Sequence, residues 1–259
     1  MYAEKIQKYG TSSHGNQYVF YGDGPDYIGM EVEIDNRSTK NIEAFKESIA
    51  KILFTKDFSH LYFVEKDSSL WSGMELITQP HSIEAMRNFI DSKLSIILKE
   101  VKEAGAEPYC GRAALHFHVS RTKFGKLRQT QVDNLAKLEY FFSNHKDEFI
   151  KLGHRDCDCK CRFTNPLTVE MAKAKVHREI ITRLYVSRYQ MINLANRDTV
   201  EFRTFRNPLD LEDTKAILEI VWHLSTKCTE ISWEDANKWD VWFEDAPQIA
   251  KDYIKRALK

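Results

Sequence analysis

Apolar and polar positions alternate over Tyr27–Asp35, with Ile28, Met30, Val32 and Ile34 on one face and Gly29, Glu31, Glu33 and Asp35 on the other. A period of two is that of a half-buried strand. Strand-like alternation also begins near Tyr18-Val19-Phe20, before the turn-rich break Gly22–Asp26. Residues 40–54 change to helical spacing, with Ile42, Phe45, Ile49, Ile52 and Leu53 on one stripe. A hairpin is predicted next: Leu61–Glu65 leads in, Lys66–Ser72 turns, Gly73–Thr78 returns and Pro80 ends it. Ser82 is placed to cap a helix over 83–104, which Gly105 stops. Ala113–Ser120 reads as a strand, 129–151 as a helix and 168–183 as a shorter one. Tyr189–Leu194 and Thr199–Phe205 form a second predicted hairpin, turning at Asn196-Arg197-Asp198. Helices over 210–228 and 246–258 close the chain, and the polar, Gly/Ser-rich first fifteen residues are expected to be flexible at the start.

Short strands that pair as hairpins, set between long helices, predict an α+β fold with a largely antiparallel sheet and helices on one face. No repeat or linker interrupts the pattern, so a single domain over 1–259 is expected, with a core of about 18–230 and a C-terminal helical extension of about 231–259. Charge narrows the function. The 38 Lys and Arg balance the 38 Asp and Glu, which argues against a protein built mainly to hold nucleic acid. The sequence contains no run of 18 apolar residues and no apolar signal-peptide core, so no membrane association and a cytoplasmic location are expected. Of five cysteines, three crowd into Cys157-Asp158-Cys159-Lys160-Cys161, which does not suit a secreted disulfide framework.

Four short segments carry candidate chemistry. Glu31 and Glu33 share a strand face, roughly 6–7 Å apart, and repel unless a cation lies between them. Asp67 sits in the predicted hairpin turn and Glu75 early in the returning strand, among Met74, Leu76 and Ile77, where a lone charge needs a partner or a metal. His116 and His118 project from one strand face and suit metal ligation or phosphate contact. Glu201 and Arg203 share a face opposite Val200 and Phe202, either as an ion pair or as a metal carboxylate beside a phosphate-binding cation. Each segment taken alone also fits ordinary strand packing. Together, oxygen-rich clusters with one or two imidazoles suit Mg²⁺ or Mn²⁺ better than zinc.

In this order, Gly-x-Glu-x-Glu, Asp-x7-Glu, His-x-His-x-Ser and Asn…Glu-x-Arg resemble the motifs of the glutamine synthetase-like carboxylate–amine ligases. The amidoligase branch, known from phage and bacterial genomes, is the resemblance in view. Tyr27–Asp35, Glu65–Pro80, Ala114–Ser120 and Ile192–Pro208 carry it, within about residues 18–230. The resemblance implies a curved, mostly antiparallel sheet lining a cleft, with helices on its outer face. It implies ATP and two divalent ions, and an acyl phosphate attacked by an amine to give an amide or peptide bond. By analogy Glu33, Asp67 and Glu75 would share one ion, and Glu31, His116 and Glu201 the other. Glu33 and Arg203 would act in catalysis, with Arg203, Arg206, Arg162 and His118 toward the nucleotide. Position 67 departs from the glutamate of glutamine synthetase itself, and its shorter side chain suits binding through water. The partners implied are small-molecule or peptide carboxylates and amines.

Two other readings stand beside this one. A phosphotransferase of the same fold would pass phosphate to a guanidinium or related acceptor. A non-enzymatic zinc module would use His154, Cys157, Cys159 and Cys161, although Cys-x-Cys-x-Cys is tighter than usual zinc spacing. The resemblance also makes Arg155 and Arg162, in the same loop, candidates for phosphate or substrate. Asn193 is expected either near the substrate or fixing its hairpin. The tryptophans at 222, 233, 239 and 242 are expected in core packing.

Overall fold

Alternation over the first strand translates directly into a buried face. In the computed structural model, β1 (Ile28–Ile34) places Ile28, Met30, Val32 and Ile34 in the core, each at most 1% exposed. The structure describes residues 1–8, 18–111, 113–155, 165–182 and 189–259. Among these residues it is α+β, with six strands, antiparallel pairing and helices, as the pattern predicts. The chain divides into two compact units, Met1–His116 with Arg206–Lys215, and Phe117–Phe205 with Ala216–Lys259.

In the first unit β2 (Tyr62–Glu65) and β3 (Met74–Thr78) form the expected hairpin. The strand order is β2-β3-β1-β4, where β4 (Ala114–Ser120) gives its first three residues to this unit. Helix α1 (Ile42–Phe54) buries Phe45, Ile49 and Leu53. The helix expected over 83–104 is α2 (Ile83–Phe89), a wider π turn (Ile90–Leu94) and α3 (Ser95–Glu103). Ser82 caps it through the Ala85 amide. Gly105 ends it in the left-handed region at φ 98°, a conformation open to glycine at little cost.

Two expectations change in this unit. Tyr18–Phe20 form no strand: the Val19 amide bonds the Gln79 side chain, and only Tyr21 makes a one-residue bridge, to His81. Of the first fifteen residues, 1–8 are tied down instead of loose, and 9–15 lie outside the described residues. The amides of Tyr2 and Ala3 donate to the Glu47 carboxylate at 2.7 and 2.8 Å, Ile6 is buried, and Gln7 pairs with the β2 backbone.

In the second unit the strand order is β4-β6-β5, with β5 (Ile192–Asn193) and β6 (Thr199–Arg206). The helix expected over 129–151 divides into α4 (Arg128–Asn144) and α5 (Lys146–Leu152). His145 leaves the helical conformation between them, and its ring packs on Phe141 and Trp239. Helix α6 (Val169–His177) is capped by Thr168 and runs into a π turn, Arg178–Thr182. Helix α7 (Leu211–Glu230) begins in the first unit and ends in the second, which also holds α8 (Trp239–Phe243) and α9 (Gln248–Ala257). The aromatic tail is packing: Phe141 stacks on Trp242 at 4.4 Å and Phe142 on Phe149 at 3.8 Å.

Candidate metal centre

Strand register builds the site. Glu33 of β1 lies directly opposite Glu75 of β3, and Glu75 lies opposite Glu65 of β2. Three carboxylates therefore form one row across three neighbouring strands. Met74 and Leu76 point to the other face, where both are fully buried. Like charges directly opposite on a sheet destabilise it, and this row is also buried, with Glu33 and Glu75 each 3% exposed. Asp67, in the turn between β2 and β3, completes the group. Glu33, Asp67 and Glu75 each offer an oxygen, all within 4.8 Å of one another.

The electrostatics of the row are unfavourable for the chain alone. Burial, with added repulsion from Asp67 and Glu31, pushes the Glu33 carboxyl up to about 7 against the opposing pull of His116. Burial also pushes Glu75 well above the usual carboxylate range, reinforced by Glu31, Asp67, Glu33 and Glu65. Among the described residues no hydrogen-bond donor or cationic side chain pairs with Glu75. Glu33 is better held, since its Oε2 accepts the Ala114 amide at 2.6 Å. Its backbone carbonyl accepts the Asn207 side chain at 2.8 Å.

The turn that carries Asp67 is built from the chain's own polar groups. Asp67 Oδ1 accepts the Ser69 amide at 2.6 Å. The buried carboxylate of Asp35 accepts the amides of Trp71 and Ser72 at 3.0 and 2.9 Å. Asp35 thus proves to be a turn-holding group, although it shares its strand face with Glu31 and Glu33.

Of the three residues expected on a second ion, Glu31 and His116 meet in the first unit. His116 Nδ1 lies 3.1 Å from Glu31 and 3.8 Å from Glu33. Glu201 belongs to the second unit, where it pairs with Arg203 and accepts the Asn193 side chain at 2.6 Å. The ion pair that is one reading of Glu-x-Arg is therefore present. Asn193 also accepts the Ala195 amide at 2.9 Å, fixing the hairpin turn. His118 Nδ1 lies 3.4 Å from the Thr199 hydroxyl. Arg206 donates to the Tyr109 carbonyl at 3.3 Å.

Arg155 corrects an expectation of phosphate binding. Its guanidinium donates to the β6 carbonyls of Arg203, Thr204 and Phe205 at 2.8, 3.0 and 3.1 Å, so its donors serve the fold. Arg162, Cys157, Cys159 and Cys161 lie outside the described residues. Of that proposed zinc set only His154 is described, just after α5 with φ 48°.

No protein-family model matches the chain, and no curated protein matches it. The chemistry of the site therefore rests on its own residues. A buried oxygen-only group with an unpartnered carboxylate, Glu75, fits a hard divalent cation such as Mg²⁺ or Mn²⁺. Glu65 was not singled out from the sequence. Its place opposite Glu75 is set by the register of the β2–β3 hairpin.

Proposed function

We propose that the protein is an ATP-dependent carboxylate–amine ligase that uses divalent metal ions, Mg²⁺ or Mn²⁺. The observation that carries this reading is the buried row Glu33–Glu75–Glu65 with Asp67 beside it, in which Glu75 meets no hydrogen-bond donor or cationic side chain among the described residues. The order of motifs along the chain supplies the reaction class. A glutamine synthetase-like arrangement of the sheet and a cytoplasmic setting belong to the same proposal. No helix among the described residues is long and apolar enough to cross a membrane.

A carboxylate substrate is a poor electrophile because it is anionic and has no good leaving group. Its oxygen takes the γ-phosphoryl group, the β–γ bridging P–O bond breaks and ADP leaves. An amine then attacks the acyl phosphate, loses a proton, and inorganic phosphate departs as the amide forms. Divalent ions supply charge neutralisation and alignment of the phosphates. Glu33, Asp67 and Glu75 would hold one ion, Glu31 and His116 are assigned toward a second, and Glu201 is assigned to metal by the order of motifs alone. Glu33 is held in place by the Ala114 amide, so its ligand oxygen is oriented in advance. Arg203, Arg206 and His118 are assigned to the nucleotide, where a fixed guanidinium offsets phosphate charge.

The test is ADP release screened across amino acids, peptides and amines with Mg²⁺ and ATP, followed by mass spectrometry of the products. An amide product whose formation is lost in Glu75→Ala and Glu201→Ala supports the reading. ADP release with a phosphorylated acceptor and no amide would favour the phosphotransferase instead. Full turnover in both variants would refute the assigned ligands.

A further inference from the structure

Asp67 is the one proposed ligand on a turn instead of a strand. A turn residue holds a metal only if something fixes the turn. Asp35, fully buried at the end of β1, is in position to do so. Its Oδ1 accepts the amides of Asn36 and Ser72, both at 2.9 Å, and its Oδ2 accepts the Trp71 amide at 3.0 Å. The Ser72 hydroxyl lies 3.1 Å from the same Oδ1 and 2.7 Å from the Asn36 carbonyl. The Asp35 carbonyl accepts the Glu107 amide at 3.0 Å, so β1, the 66–73 turn and the segment after α3 all join at this residue.

The turn is also pressed onto β1 at its far side. A Cβ on Gly73 would lie 1.8 Å from the Ile34 carbonyl oxygen and 2.9 Å from Asp35 Cα, which leaves room for glycine only. At the near side the Lys66 amide donates to the Gln7 carbonyl at 3.0 Å. Asp67 is thus held between two anchored points. Three backbone amides converging on one group call for an acceptor with several lone pairs, which a carboxylate supplies and an amide side chain does not. An asparagine there would turn an N–H toward donors.

We infer that Asp35 is a positioning residue for the metal centre, setting the place of Asp67 through the 66–73 turn while contacting no ion itself. This rests on the metal reading of Glu33, Asp67 and Glu75. Supports of this kind commonly change metal affinity by about 10- to 100-fold.

The experiment is Mn²⁺ titration of the full chain without nucleotide, read by the electron paramagnetic resonance of free Mn²⁺. Asp35→Asn is expected to raise the Mn²⁺ Kd by about 10-fold. In an Asp67→Asn background it is expected to change Kd by no more than about 2-fold, because both act through one ligand. Ser72→Ala removes a single hydroxyl and should give the same behaviour at about 2- to 3-fold, which keeps the test open if Asp35→Asn does not fold. Val101→Ala, a buried change in α3, should lower stability and leave the Kd as in the wild type, separating positioning from general destabilisation. Wild-type protein that binds no Mn²⁺ overturns the metal centre and this role together. Wild-type binding with an unchanged Asp35→Asn Kd, or with effects of positions 35 and 67 that multiply, overturns the positioning role alone.

Discussion

At the residue scale, the raised carboxyl of Glu33 gives the molecule a pH dependence whose sign follows from linkage. Its folded pKa of about 7 lies above the ordinary 4.5. Between those values the folded state keeps a proton that the unfolded chain releases. Stability is therefore fully present at the acid end of that window and falls as pH rises through it, by on the order of 3 kcal/mol for Glu33. A divalent ion replaces that proton, so metal should bind more tightly as pH rises. Urea unfolding in chelator at about pH 5 and about pH 7.5 is expected to show the loss, and saturating Mn²⁺ to remove it. Metal-free stability that rises across this window would contradict the assigned environment of Glu33. Glu75→Gln keeps the shape and removes the cost of protonating a buried carboxyl that its surroundings hold well above the usual carboxylate range. It should stabilise the metal-free protein by about 1 kcal/mol or more near neutral pH and abolish stabilisation by Mn²⁺. A less stable variant in chelator would mean that its surroundings do not raise the Glu75 carboxyl.

At the scale of elements, Arg155 illustrates how position in the fold reassigns a residue. The family resemblance makes an arginine in this loop a candidate for phosphate or substrate. In the structure it follows α5 and binds three carbonyls of β6. Gly153, two residues earlier, comes so close to β6 that an added Cβ would lie 2.2 Å from the Thr204 carbonyl oxygen. Arg155→Ala should cost about 2–3 kcal/mol by leaving buried carbonyls unpaired, with KM for ATP unchanged. A raised KM at unaltered stability would return Arg155 to the nucleotide. Phe142, stacked on Phe149 and buried, should lose about 3–5 kcal/mol as Phe142→Ala, read as a shift in the urea midpoint. An unshifted midpoint would mean that this stack contributes nothing to the second unit.

At the scale of the whole molecule, metal should stabilise one part of the chain more than the rest. Hydrogen exchange with and without Mn²⁺ is expected to gain protection in β1, β3 and residues 66–73, with little change in α4, α5, α8 and α9. Equal gains everywhere would argue against a centre built on the first unit. The α+β class, the hairpins, the cap at Ser82 and the stop at Gly105 were legible in the sequence. So were the carboxylates at 33, 67 and 75. Periods of 2 and 3.6 and the conformational limits of Gly, Ser and Pro are local properties of the chain, independent of its neighbours. The break at His145, the absence of a strand at Tyr18–Phe20, Glu65 in the carboxylate row and the tasks of Asp35 and Arg155 were not legible. Each depends on which residue of another element lies opposite, and that is set by the joint burial of apolar faces and the closure of turns. The sequence by itself determined which side chains could carry charge on a strand face. Only the tertiary structure decided which of those charges meet, because register joins residues far apart in the chain and burial then makes their meeting costly without a cation.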